Sequence, residues 1–86
     1  MDPRERLRSF LLDEFGADLP REKLTDDFPL IDGGVVDSLG IFQLMAFIEG
    51  EYGVDIDDVE LVYDNFRDLD SIARLILSKV GAAEHG

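Results

Sequence analysis

Apolar residues recur at the interval of an α-helix along most of this 86-residue chain, and nowhere do they alternate convincingly at the interval of a β-strand. Leu7, Phe10, Leu11 and Phe15 fall at i, i+3, i+4 and i+8, a single stripe. Leu69, Ile72, Ala73, Ile76 and Val80 form a second stripe near the other end. Between them Leu39, Ile41, Phe42, Leu44, Met45, Phe47 and Ile48 occupy more than one face. A helix of that kind is either central to a bundle or exposes an apolar patch to a partner.

Punctuation sets the boundaries. Asp2 can cap the first helix, predicted over residues 3–15, with Pro3 in its first turn and Gly16 as its stop. The second helix spans 38–52 and ends before Gly53. Val54-Asp55-Ile56 then reads as an extended link, and Asp57 or Asp58 caps a brief third helix near Val59 to Tyr63. Asp68 caps the last helix, which runs from Leu69 to about Val80, with Gly81 as its stop and Ala82 to Gly86 as a flexible tail. Residues 17–37 make a long connection in which Leu19, Leu24, Phe28, Leu30 and Ile31 are spaced irregularly, as expected of a loop pinned to the core. The expected fold is all-α, a small four-helix bundle of three longer helices, one short third helix and a long first loop. It forms a single domain over 1–86 with an ordered core at about 3–80.

Charge narrows the partners. Residues 22–70 hold fourteen acids against two bases, which accounts for the whole net charge of −12. Such a surface repels nucleic acid and anionic membranes and attracts proteins with basic patches, although acidity also serves solubility alone. There is no cysteine, so any thiol must arrive on an attached group. No apolar run approaches the ~20 residues of a membrane span, and Met1-Asp2-Pro3-Arg4-Glu5 is not of signal-peptide type, so the expected location is cytoplasmic.

Catalytic chemistry is hard to assemble. The single histidine, His85, stands in the tail without a partner at useful spacing. Gly33-Gly34 lacks the Gly-Lys-Ser/Thr of a phosphate loop. Asp55, Asp57, Asp58 and Glu60 would hold a hard cation only weakly, and the spacing of a calcium loop is absent; an acidic helix start is the simpler reading and no metal site is expected.

Ser38 remains. A serine or aspartate before an apolar helical run is commonly an N-cap. If Asp37 caps, however, Ser38 falls in the first turn with its hydroxyl free, where helix N–H groups would favour a phosphate joined to it. The segment Leu30-Ile31-Asp32-Gly33-Gly34-Val35-Val36-Asp37-Ser38-Leu39 resembles the attachment site of acyl and peptidyl carrier proteins, whose hallmark is Asp-Ser-Leu at the start of the second helix. Phe47 to Ile56 and Asn65 to Ala73 extend the resemblance over roughly residues 5–80.

The resemblance implies that Ser38 receives 4′-phosphopantetheine from coenzyme A, with Asp37 helping to engage the phosphopantetheinyl transferase and its magnesium. The arm would carry an acyl or aminoacyl thioester between a loading ligase and a downstream synthase, transferase or tailoring enzyme. The protein would then be a monomeric carrier and no enzyme. Leu39 would be chiefly core but at the docking face, with Phe42, Gln43, Ala46, Phe47 and Glu49 as further docking residues. Carriers of fatty acid synthesis show a run of acids on this helix, where Gly40, Gln43 and Gly50 here are uncharged. That points to a discrete carrier of a dedicated, secondary-metabolite or non-ribosomal-type pathway, the alternatives being a fatty acid or polyketide carrier and an unmodified acidic helical adaptor. A short acyl group could fold back between the second and third helices against Leu30, Ile56 or Phe66, unless these are plain core.

Overall fold

The computed structural model describes residues 2–15 and 19–85, the side chains of 82–85 excepted. Gly16 and the His85 side chain therefore lie outside the described residues. Four α-helices follow in order: α1 (Arg4–Glu14), α2 (Ser38–Tyr52), α3 (Tyr63–Phe66) and α4 (Leu69–His85). Single 3-10 turns at Arg21–Lys23 and Asp58–Glu60 interrupt the connections, and there is no strand among the described residues. This is the expected small helical bundle, with α2 at its predicted limits.

The caps form for the expected reasons. The Asp2 carboxylate accepts from Arg4 N at 3.1 Å, while Pro3 already has helical angles and its carbonyl accepts from Leu7 N. Gly53 closes α2 at φ 65°, a left-handed conformation that costs glycine nothing. Asp68 Oδ1 accepts from Ser71 N at 2.8 Å to start α4.

Two predictions fail. The third helix does not start at Asp57. A 3-10 turn forms there, with Asp57 N donating to Glu60 Oε1 and Glu60 N donating to Asp57 O. The chain then extends at Val62 before α3 makes its single turn. Helix α4 also passes through Gly81, where a stop was expected, and continues to His85. Glycine lowers helix propensity by about 1 kcal/mol but does not forbid the conformation.

The core is formed by Leu7 and Leu11 of α1, Leu44 and Ile48 of α2, Phe66 of α3 and Leu69, Ile72 and Ile76 of α4. The long connection is pinned as expected: Leu24, Leu30 and Val36 are buried in the same cluster, with Leu19, Phe28 and Ile31 packed against it. Leu30 does more than fill space. Its N–H donates to Arg67 O at the α3–α4 junction, and its carbonyl accepts from both Val35 N and Val36 N.

Polar ties cross the same seams. Arg8 pairs with Glu5 and Asp26 and donates to Leu24 O at 2.8 Å, which holds the connection to α1. Arg4 meets Asp70 at 2.9 Å and Arg6 meets Glu51 at 2.7 Å, so α1 also reaches α4 and the end of α2. Lys79 of α4 meets Glu60 Oε1 at 2.6 Å and, with the Asp57 N–H, holds the Glu60 carboxyl below its ordinary range. Exposed pairs contribute little individually, but these cross-links join successive elements.

Truncating Leu30 to alanine should cost about 2–5 kcal/mol, because a fully buried side chain is removed from the residue that also organises the turn. Urea unfolding followed by circular dichroism measures this, with the midpoint falling and the slope little changed.

Candidate functional site

The path from Leu30 to Ser38 is a tight turn rather than a free loop. Gly33 N donates to Pro29 O at 2.7 Å, and a Cβ on Gly33 would come within 2.5 Å of that oxygen. Gly34 sits at φ 79° with open space around it. One glycine thus serves a close backbone approach and the other a left-handed angle. They deliver Asp37, in extended conformation, to the head of α2.

Asp37 Oδ1 accepts from Gly40 N at 2.7 Å and is the N-cap. Ser38 is therefore the first residue of α2, exposed, and none of the described hydrogen bonds uses its hydroxyl. Oγ stands beside helix N–H groups that lack intrahelical acceptors, a setting that suits an attached phosphate. The described residues bring no imidazole to it, and no group of three or more metal-ligating side chains occurs among them, the Asp55–Glu60 cluster included.

The exposed face of α2 runs Leu39, Phe42, Gln43 and Ala46, at i, i+3, i+4 and i+7. Leu39 is 70% exposed, which corrects the expectation that it is chiefly core. Its place in the helix turns it away from Leu44 and Ile48, which take the buried face. Phe47 and Glu49 have partners within the fold. Phe47 stacks on Phe10 at 4.1 Å under the Arg6 guanidinium, and the Glu49 carboxylate accepts from Ile56 N at 2.9 Å. Gly40 is buried, with Phe15 and Val36 so near that a Cβ would stand 3.2 Å from the Phe15 ring. Its lack of charge is a packing requirement and carries no information about docking.

Beside the head of α2 lies an apolar cavity of about 110 Å³ lined by Ile31, Ile41, Leu61, Val62, Tyr63 and Phe66. Phe66 was expected there, whereas Leu30 and Ile56 belong to the closed core. The Tyr63 hydroxyl donates to the Asp32 carboxylate across its edge, and this hydrogen bond raises the Tyr63 pKa. Val59, at 82% exposed, and Val62, at 48%, continue the apolar surface beyond α2. The sequence reading missed them as surface residues. The signal was present: Val59, Leu61 and Val62 crowd a segment too short to turn all three inward.

The bundle thus presents an exposed serine at the head of α2. The family model for the phosphopantetheine attachment site matches residues 5–76. The chain belongs to that family, the acyl and peptidyl carriers, whose members bear covalent 4′-phosphopantetheine, do no catalysis of their own, and are served by phosphopantetheinyl transferases and biosynthetic enzymes. Among solved structures, a chain in the crystal structure of an FAD-dependent dehydrogenase is 28% identical, with a TM-score of 0.71 over 81% of this chain and 97% of that one. No curated protein matches. No helix among the described residues is long and apolar enough to cross a membrane.

Replacing Asp37 by alanine removes the acceptor for Gly40 N and should cost about 1 kcal/mol, with asparagine largely restoring it. Thermal unfolding of the three proteins checks the order.

Proposed function

We propose that Ser38 is the residue that carries 4′-phosphopantetheine, and that the protein is a discrete acyl or aminoacyl carrier of a dedicated pathway. The observation that carries this reading is the division of labour at the head of α2: Asp37 spends its carboxylate on the cap and leaves the Ser38 hydroxyl exposed and free. The residues fit the group, since the arm's phosphate would lie against the α2 N-terminus and its pantetheine would extend from an open surface. The arm supplies the thiol that a cysteine-free chain lacks. Asp37 keeps an exposed edge from which to engage the transferase and its magnesium. Supply of the arm from coenzyme A supports a cytoplasmic carrier.

Leu39, Phe42, Gln43 and Ala46 form the α2 part of the docking face, which is uncharged and apolar except at Gln43. That composition favours dedicated partners over the enzymes of general fatty acid synthesis, with a polyketide carrier as the nearer alternative. The matched chain in the FAD-dependent dehydrogenase structure is nearly fully covered by about four-fifths of this one, so it is itself of carrier size. This supports an oxidative tailoring enzyme among the downstream partners, beside a loading ligase.

Incubation with coenzyme A, magnesium and a broad-specificity transferase should add the mass of one phosphopantetheine, and Ser38→Ala should abolish the gain. No gain with several transferases would favour an unmodified helical adaptor.

The cavity between α2 and α3 favours a second element of the reading, that a short cargo folds back beneath Tyr63. At about 110 Å³ it is smaller than the ~150 Å³ apolar cavity that holds benzene, so only a small acyl group would enter. Amide shifts at Ile41, Leu61 and Phe66 should then differ between free-arm and short-acyl protein, and unchanged shifts would exclude the cavity as the cargo's seat.

A further inference from the structure

Acids dominate this chain, yet two arginines line one groove on it. The groove runs along α4 and has a volume of about 410 Å³. That lies within the roughly 300–1,000 Å³ of small-ligand sites. Asp64 of α3 and Arg67 of the α3–α4 junction stand at its head. Ser71, Arg74 and Ser78 follow along α4 at i, i+3 and i+7, on one face of the helix, and Leu75 supplies an apolar wall. Ser38 is not among the lining residues.

The two arginines are largely unspent. Arg4, Arg6, Arg8, Arg21 and Lys79 each meet a carboxylate across the fold. Arg67 has only that of its neighbour Asp68, at 3.7 Å, and Arg74 has no ion pair among the described residues. Arg74 Nε donates to Asp70 O at 3.4 Å, which leaves both of its Nη groups unengaged among the described hydrogen bonds. Lys23 also lacks an ion pair among the described residues, but it lies outside the groove. Ser71 adds an independent observation. It is only 5% exposed, and its Oγ has no hydrogen-bond partner among the described residues. Its N–H is spent on Asp68 Oδ1, and the Arg67 carbonyl, to which a helical serine can bond back, already accepts from Leu30 N. A buried hydroxyl without a partner is costly, and alanine would take the same place with higher helix propensity. Because Ser71 lines the groove, a ligand there can supply the acceptor that the fold does not.

We propose that this groove binds a small organic acid by its carboxylate. One carboxylate oxygen accepts from Ser71 Oγ, and the guanidinium groups of Arg67 and Arg74 close on the anion from either end. The charges favour a monoanion. Among the lining side chains two arginines face one carboxylate, that of Asp64, and Asp68 beside Arg67 weighs further against a dianion such as phosphate. Leu75 gives the carbon chain of the acid an apolar surface, and Ser78 offers a hydroxyl further along. The proposal does not rest on the carrier reading, because the side chains that form the groove take no part in the proposed attachment of the arm.

The test is a titration of the full, unmodified chain with sodium propionate at pH 7, followed by amide chemical shifts, with sodium chloride holding the ionic strength constant. Wild type, Arg74→Gln, Lys23→Gln and Ser71→Ala are compared. Wild type should show saturable shifts centred on Asn65, Arg67, Ser71 and Ser78. Arg74→Gln should weaken binding about tenfold. Lys23→Gln removes the same charge elsewhere and should match wild type. Ser71→Ala should weaken binding about fivefold and, without propionate, raise the melting temperature by about 4 °C, because the orphaned hydroxyl is gone. Shifts that fail to saturate, or a loss in Lys23→Gln equal to that in Arg74→Gln, would overturn the site. A melting temperature unchanged or lowered in Ser71→Ala would show the hydroxyl to be satisfied within the fold and would overturn it as well. Equal affinity for sodium phosphate would overturn the choice of a carboxylate.

Discussion

Leu30 is the point on which the rest of the molecule depends. Its side chain is fully buried in a core to which all four helices contribute, its N–H reaches the carbonyl that joins α3 to α4, and its own carbonyl gathers two N–H groups from the turn leading to Ser38. Burial and hydrogen bonding at one residue therefore couple a helix junction to the head of α2. Removing water from an unpaired backbone group is costly, so the carbonyl of Leu30 effectively dictates where Val35 and Val36 lie. Val36 then buries its side chain, and Asp37 follows in the extended conformation that a cap requires. The exposed position of Ser38 is a consequence of this chain of contacts.

Much of this was legible in the sequence because helical periodicity and caps are local signals. α2 was bounded by Asp37 and Gly53, and each does in the structure what its chemistry suggested. The apolar residues of the first connection announced a pinned loop. What was not legible depended on contacts distant in sequence. Asp57 looked like the cap of a helix, but the segment after it is too short to turn Val59, Leu61 and Val62 all inward, and a 3-10 turn leaves Val59 outside. Gly81 looked like a stop, but no local rule forbids glycine within a helix.

The charge pattern also changes meaning once folded. The acids concentrated in the middle of the sequence divide into two populations. One is drawn onto the arginines of α1 and onto Lys79, where it ties elements together. The other stays in solvent without an ion pair among the described residues, as at Asp27, Asp32, Asp55, Asp57, Asp58 and Asp64. Net charge alone described an acidic protein. The distribution describes a molecule neutralised along α1 and left negative in the turns before and after α2.

Gly40 shows how far a single missing methyl group reaches. The Phe15 ring lies against the first turn of α2 because no side chain keeps it away. Phe15 meets Phe10 edge-on at 6.0 Å, and Phe10 stacks at 4.1 Å on Phe47, about two turns beyond Gly40 along α2. Two well-separated places on α2 are thereby fastened to one short helix. A rod held at two points can neither roll nor pivot freely, so the direction in which the Ser38 hydroxyl leaves the surface is set relative to α1. Anything tethered there would begin its travel from a fixed bearing, and an enzyme that recognises the bundle would know where the tether starts.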